Sequence, residues 1–530
     1  MSWIGNSPLG RRGGGGDDDA RPPYVPGDLG ADGDGASLRP EVADLGRLGR
    51  RLIRKAVRAA RADEVPALHR LLAHHLGQGA AALPVVAGKW PSHDHVNLQV
   101  GLEHWLGEAG RSHTLIGITR FEHRSVTLAD LGQPAPPQFG PGIGSVSMVS
   151  LGCGPEGATH PAVRCALYLV SESEGPLAIL VREGESHGPS GPQVLVEVTG
   201  PDPARASVAL AEIRQAALTH NVFRGQVVVF GSELFGPESA LLSFQGRPAL
   251  SRDALVLPPG VLELVEQQVV GIARRREAMT AAGQHLKRGL LLHGPPGTGK
   301  THTVRYLLGQ LEGVTAIILS GDALGAIGPA CSIARTLQPA VVVVEDVDLI
   351  AEHRGMHPGQ NPLLFRLLNE MDGLGEDVDV AFVLTTNRAD LLEPALAARP
   401  GRVDQAVEIP LPDAAGRRRL IELYAGQLVL SVADLAPVVE RTEGVTASFL
   451  KELVRRASLL AADRDGAAPA QEGHQSEAAI EEPPALVVGP AELDEALDQL
   501  LGDGNRLTRV LLGGSPAAGA PTPPSAGGEG

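Results

Sequence analysis

His293-Gly294-Pro295-Pro296-Gly297-Thr298-Gly299-Lys300-Thr301 is the stretch that decides how this chain folds. It fits the pattern G-x-x-x-x-G-K-[ST]. Its flanks fit too: the apolar run 290–293 reads as a strand and 301–311 as a helix. Glycines let the backbone curl until its N–H groups converge on one point, which makes an anion-binding concavity. The N-terminus of the following helix adds its partial positive charge. Lys300 is expected to bridge the outer phosphates of a nucleoside triphosphate, and Thr301 to ligate Mg2+ through its hydroxyl. The expected nucleotide-binding set is Gly294, Pro295, Pro296, Gly297, Thr298, Gly299, Lys300, Thr301 and His302.

Downstream, Val341-Val342-Val343-Val344 reads as a buried strand, and Glu345-Asp346-Val347-Asp348 places carboxylates at its carboxyl end. Ligand chemistry gathers at that end in an open α/β sheet. Burying such charges is costly unless a cation offsets them. Mg2+ would supply that cation. A strand at 380–386 delivers Asn387, suited to orienting an attacking water. Arg399 and Arg402 flank a Pro-Gly turn, and their guanidinium groups suit charge developing on a γ-phosphate. Strands expected at 289–293, 314–319, 340–345, 380–386 and 406–409, with helices between most of them, imply a parallel sheet covered on both faces.

Taken together, GPPGTGKT at 294–301, VVVVEDVD at 341–348, PLLFRLLNEMDGL at 362–374, TTN at 385–387 and ARPGRVDQAVEIPLPD at 398–413 resemble the AAA family of ATPases, within the AAA+ superfamily. The likeness covers about 251–512. It implies a P-loop NTPase sheet of five parallel strands with a C-terminal helical lid. It further implies ATP and Mg2+ as cofactors and a homo-oligomeric ring, usually of six subunits. Within it Lys300 and Thr301 match Walker A, and Glu345 and Asp346 fill Walker B, which implies Glu345 beside Thr301 as a Mg2+ ligand and Asp346 as the catalytic base, with Asp348 as a backup. Asn387 matches sensor 1, and Arg399 and Arg402 match arginine fingers that act on a neighbour's nucleotide. Thr446-Ala447-Ser448 falls at the small-residue sensor 2 motif. Two features depart from the family pattern. The order Glu345 then Asp346 reverses the usual Walker B pair and resembles the mitochondrial subgroup that helps assemble respiratory complex III. Ala326 stands where many members carry a pore-loop aromatic, with Ile327 the nearest bulky side chain. No HExxH motif occurs, so the zinc protease fused to some relatives is not expected.

The remainder of the 530 residues is less specific. Residues 1–40, rich in Gly, Asp and Pro, read as a disordered segment. Residues 41–245 read as an α+β region with a helical start, suited to partner recognition. Arg50, Arg51, Arg54, Lys55, Arg58 and Arg61 give its first helix a basic face, read as solvated. His93, Asp94, His95, His104, His113 and His123 follow no standard metal-ligand spacing. Residues 251–412 read as the α/β core, 413–512 as the lid with a loose insertion at 465–488, and 513–530 as a disordered tail.

The net charge of −16 argues against broad nucleic-acid binding. Three cysteines without a CxxC pair, no signal core and no membrane-length apolar run point to a cytoplasmic setting. The expectation is an ATPase that hydrolyses ATP at subunit boundaries of a ring to remodel a protein client. The alternative is an ATP-dependent assembly switch or scaffold with negligible hydrolysis. A third reading, nucleic-acid remodelling, depends on the basic helix.

Overall fold

The computed structural model describes residues 67–77, 79–119, 126–133, 141–184, 192–231, 242–348, 362–373, 375, 378–390, 392, 402–432, 435–466 and 486–502, all within one compact unit spanning 65–530. Several expectations lie outside the described residues: the segment 1–40, the basic face at 50–61, His123, Arg399, most of the insertion (467–485) and the tail 513–530.

The first sheet contains β1 (Val85–Pro91), β2 (Ser112–Thr119), β3 (Gly142–Gly144), β4 (Ser147–Gly152), β5 (Thr159–Glu172), β6 (Gly175–Glu183) and β7 (Gln193–Thr199). They run in the order β1-β7-β6-β5-β2-β3, with β4 on β5, and every pair is antiparallel. The period-2 alternation of side chains divides the central strands between two cores. Along β6, Leu177, Ile179 and Val181 pack with the helices His95–Leu106 and Pro203–Thr219. Ala178 and Leu180 pack on the other face with Ala67–Leu76 and Leu128–Leu131. Pro203–Thr219 starts where its sequence says it should: Asp202 accepts from Ala204 N, and Pro203 takes a first-turn position that needs no donor. Charge at the sheet's rim is internally matched. Burial opposes the Glu172 carboxylate, but hydrogen bonds from Arg205 and Arg111 hold it below the usual range. Arg111 also lies over the Trp105 ring, 4.1 Å from its centroid.

The second sheet contains β8 (Val227–Phe230), β9 (Leu242–Gln245), β10 (Arg288–His293), β11 (Thr315–Leu319), β12 (Ala340–Val344), β13 (Val380–Thr386) and β14 (Gln405–Glu408), in the order β14-β10-β13-β12-β11-β8-β9. All pairs are parallel except β8–β9. Alternation again serves two cores. Val342, Val344, Phe382 and Leu384 face the side covered by Ile327–Thr336 and Pro362–Asp372. Val341, Val343, Ala381 and Val383 face the side covered by Lys300–Gln310 and the segment 261–281. That segment is divided: a π turn at Gln267–Gly271 follows Val261–Glu266, and a break at Arg275 precedes Arg276–Ala281.

The boundary drawn after 245 does not match this sheet. β8 and β9 belong with the strands of the nucleotide loop, not with the antiparallel sheet before them. Ala316 N donates to Gln226 O at 2.8 Å, and Val228 and Phe230 share a core with Ile317 and Leu319. The run VVVF shows a buried strand, but nothing local in it specifies its partner.

Beyond β14, the helices Ala414–Ala425, Ala436–Arg441, Ala447–Gly466 and Pro490–Leu501 enclose a separate core around Phe449, Leu450, Leu453 and Leu497. Val429–Leu430 and Val487–Val488 form a two-residue parallel ladder that ties the far side of the insertion back to this subdomain. Among the described residues, no helix is long and apolar enough to cross a membrane.

Candidate active site

Three parallel strands end side by side at the site. β10 leads into the glycine loop, β12 into Glu345 and Asp346, and β13 into Asn387. The loop's path needs glycine: Gly294, Gly297 and Gly299 all have positive φ, and at the first two a side chain would also meet neighbouring atoms. Gly294 has φ 144°, and a Cβ there would meet Ile409 O at 2.2 Å. Gly297 has φ 75° and packs against Ser448 and Thr446 of the lid. Ser448 N donates to Gly297 O at 3.1 Å, so the first turn of the lid helix rests on the loop. Lys300 Nζ donates to the carbonyls of Gly294 and Pro295, both at 2.8 Å. Burial lowers the Lys300 pKa, while the charges of Asp346 and Asp348 oppose that shift.

Glu345 and Asp346 point to different partners. Glu345 is hydrogen-bonded to Thr301; burial raises its pKa, and that hydrogen bond acts against the rise. Oxygen donors on Thr301 and Glu345 suit a hard divalent ion, which agrees with Mg2+ beside a triphosphate. Asp346 is bonded to the end of β13 instead. Asn387 Nδ2 donates to Asp346 Oδ1 at 3.3 Å, and Asp346 N donates to Thr385 Oγ1 at 3.0 Å. Its φ is 51°, the left-handed region that residues with a side chain seldom occupy. Asp348 lies away from the cleft lining. It is buried beneath the cleft, where its Oδ1 accepts from Thr386 Oγ1 at 2.9 Å and from Asn387 N at 3.1 Å.

Gly297, Lys300, Thr301, Asp346, Asn387 and Ser448 line one cleft of about 490 Å³. Leu255, Leu257, Leu420 and Tyr424 supply an apolar wall suited to a base, opposite the polar loop. His302 lines the cleft and is hydrogen-bonded to the backbone of Ala254; its pKa is lowered, chiefly by burial. Arg305 and Lys451 also reach the cleft, and sequence reading did not single them out. Arg305 was detectable, lying one helical turn past Thr301 and so on the same face. Lys451 and the Leu255–Leu257 wall come from distant segments and carry no local signal.

Arg402 does not line this cleft, which a side chain acting on a neighbour's nucleotide need not do. It is buried and bonded through Nε to Asp372 Oδ1 at 2.6 Å, with Nη2 on the other carboxylate oxygen. The pore-loop segment differs from a gripping loop. Gly321–Ala326 is a turn of 3-10 helix, and Leu324 and Ile327 are packed into the core.

A parallel sheet whose strand ends hold a glycine loop, a carboxylate pair and a polar strand-end residue, closed by a helical subdomain, defines an α/β P-loop NTPase. More narrowly, residues 290–411 match the family described as "ATPase family associated with various cellular activities (AAA)". The chain thus carries an AAA ATPase domain, and ATP hydrolysis is the activity that such a domain supports. Among curated proteins, the chain is 32% identical over 269 residues to "ATP-dependent zinc metalloprotease FtsH" of Mycobacterium tuberculosis (strain ATCC 25618 / H37Rv), covering 48% of this chain and 33% of that protein. It is 31% identical over 321 residues to "ATP-dependent zinc metalloprotease FtsH 1" of Sphaerobacter thermophilus, covering 57% and 44%. It is 31% identical over 294 residues to the protein of that name from Thermomicrobium roseum, covering 52% and 41%. The chain spans only a third to under a half of the length of these relatives.

Proposed function

We propose that this protein hydrolyses ATP at the boundaries between subunits of a ring and uses the resulting lid movement to remodel a protein client in the cytoplasm. The observation that carries this reading is the division of labour at the strand ends. Glu345 is hydrogen-bonded to Thr301, and Asp346 accepts a hydrogen bond from Asn387 Nδ2. In the reaction, water attacks the γ-phosphorus, its proton passes to the Asp346 carboxylate, and the bond to the bridging oxygen breaks to release ADP. Lys300 and the loop N–H groups stabilise the transferring phosphoryl group. Magnesium held by Thr301 and Glu345 would neutralise phosphate charge. The hydrogen bond from Ser448 to Gly297 supports lid movement as the output, since loop and lid are in contact.

From the FtsH relatives we carry over the ATP-dependent part of their name and not the protease. The sequence has no HExxH. Client recognition is assigned to the antiparallel sheet and its helices. The reversed Glu345–Asp346 order, shared with the complex III assembly subgroup, and the buried Ile327 favour a mode of action other than hand-over-hand threading.

The test is steady-state phosphate release against protein concentration. Turnover per subunit should rise as the ring assembles, and Arg399→Ala should remove that rise. Flat, negligible turnover at every concentration would favour the assembly-switch reading, which the burial of Arg402 against Asp372 supports.

A further inference from the structure

Three consecutive residues at the end of β13 hold the segment that follows β12. Thr385 Oγ1 accepts the N–H of Asp346 at 3.0 Å. Thr386 Oγ1 donates to Asp348 at 2.9 Å. Asn387 donates its backbone N–H to Asp348 and its side-chain amide to Asp346. Thr386 and Asn387 thus hold carboxylates. Thr385 alone holds main chain, and it does so at the residue in a left-handed conformation.

A strand at this depth has no local need for a hydroxyl. β13 is buried along its whole length, and Thr385 is 1% exposed among Phe382, Val383 and Leu384. Valine would fill the same space on such a strand. What threonine adds is one acceptor, and that acceptor meets the Asp346 N–H. The consequence follows from covalent geometry. The φ of Asp346 fixes the direction of its Cα–Cβ bond and hence where the carboxylate can reach. Aspartate tolerates the left-handed region better than most residues, but it still prefers to leave it. Released, Asp346 would relax toward negative φ and swing its carboxylate off the Asn387 amide.

We infer that Thr385 is a positioning residue for hydrolysis, its hydroxyl holding the Asp346 backbone in the left-handed conformation that aims the carboxylate at the attacking water beside Asn387. This rests on the reading of Asp346 as base. Thr385 touches no reacting atom and acts only through Asp346. ATP binding, made by the glycine loop, Lys300 and the Leu255–Leu257 wall, does not depend on it.

The experiment is a cycle of variants in the full-length protein: Thr385→Val, Thr385→Ala, Thr385→Ser, Asp346→Asn and the double variant Thr385→Val with Asp346→Asn. Phosphate release and nucleotide affinity are measured for each. Thr385→Val should lower kcat about ten- to hundredfold, as a misaimed catalytic group does. KM for ATP should stay within about twofold, because binding contacts are untouched. Thr385→Ser, which keeps the acceptor, should restore the parental rate. In the Asp346→Asn background, Thr385→Val should cost nothing further, because the group it aims is gone. Thr385→Ala repeats the measurement should the valine variant fail to fold. A parental kcat in Thr385→Val and Thr385→Ala, with Asp346→Asn inactive, overturns this inference and leaves the base assignment standing. An equal further loss in the double variant also overturns it, since that loss would be structural. A parental rate in Asp346→Asn overturns the base assignment and this inference with it.

Discussion

The two sheets are built alike and used differently. The central strands of each are buried on both faces and divide their residues between two cores by period-2 alternation, and each sheet is flanked by helices. In the first, neighbouring strands run in opposite directions, so carboxyl ends fall at both edges and no edge collects them. In the second, β10, β12 and β13 run the same way, and the residues just past them arrive within a few ångströms of one another. Strand direction, not burial or composition, is what lets the second sheet assemble a reaction centre. In the first, the polar groups that do occur are absorbed by one another, as in the set Arg111, Glu172, Arg205 and Glu212.

If the first sheet is packing and the second chemistry, substitutions should separate them. The largest expected effect is on packing. Leu180→Ala empties a fully buried position and should cost roughly 2–5 kcal/mol of stability. Because Val96 and Leu151 from the first region pack into the core of the second, both regions should unfold in one transition. Fluorescence of the buried Trp90 and Trp105 should then follow the same denaturant curve as loss of nucleotide binding; two separated curves would show that the sheets are thermodynamically independent. Next in size, Lys300→Ala should lower ATP turnover by about a hundredfold or more while leaving that unfolding curve nearly in place, because it removes charge aimed at the phosphates. Turnover at the parental level would overturn the phosphate-site assignment.

The smallest effect concerns pH and belongs to the boundary between the regions. Burial pushes the Asp94 carboxyl up to about 6 from 3.8, against the opposing influence of the Asn97 amide and Arg214. An acid whose folded pKa lies above its unfolded value favours folding when protonated. Its contribution is complete below pH 4 or so and is lost as pH rises through about 6. Asp94→Asn should therefore raise stability at pH 7, by roughly 1–2 kcal/mol, and change it little at pH 4. Equal gains at both values would show that charge is not the cause.

How much of this could be read in advance follows from how local each signal is. The glycine loop, the four valines before Glu345 and the Thr-Thr-Asn strand end are contiguous words, and the cleft brings together Lys300, Thr301, Asp346 and Asn387. What escaped reading was pairing at a distance. The strand at Val227–Phe230 was recognised, but its parallel partner lies some ninety residues later, at Thr315–Leu319. Asp348 looked like a spare base because a carboxylate two residues past Asp346 carries no sign that Thr386 and Asn387 will bury it. Arg402 looked free because its partner, Asp372, lies in another element thirty residues away. Thr385 reads as an ordinary strand residue until the backbone angle of Asp346 is known.

The placement of β8 and β9 governs where this protein can be cut. A fragment starting at 251, the boundary suggested by sequence, would strip both strands from the flank of β11. The outer backbone amides and carbonyls of 315–319 would then lie bare, ready to recruit a strand from another molecule. Such a fragment would also lose Arg247, whose guanidinium ties together the carbonyls of Gly225, Leu308 and Val314. A soluble catalytic half should instead begin near residue 220.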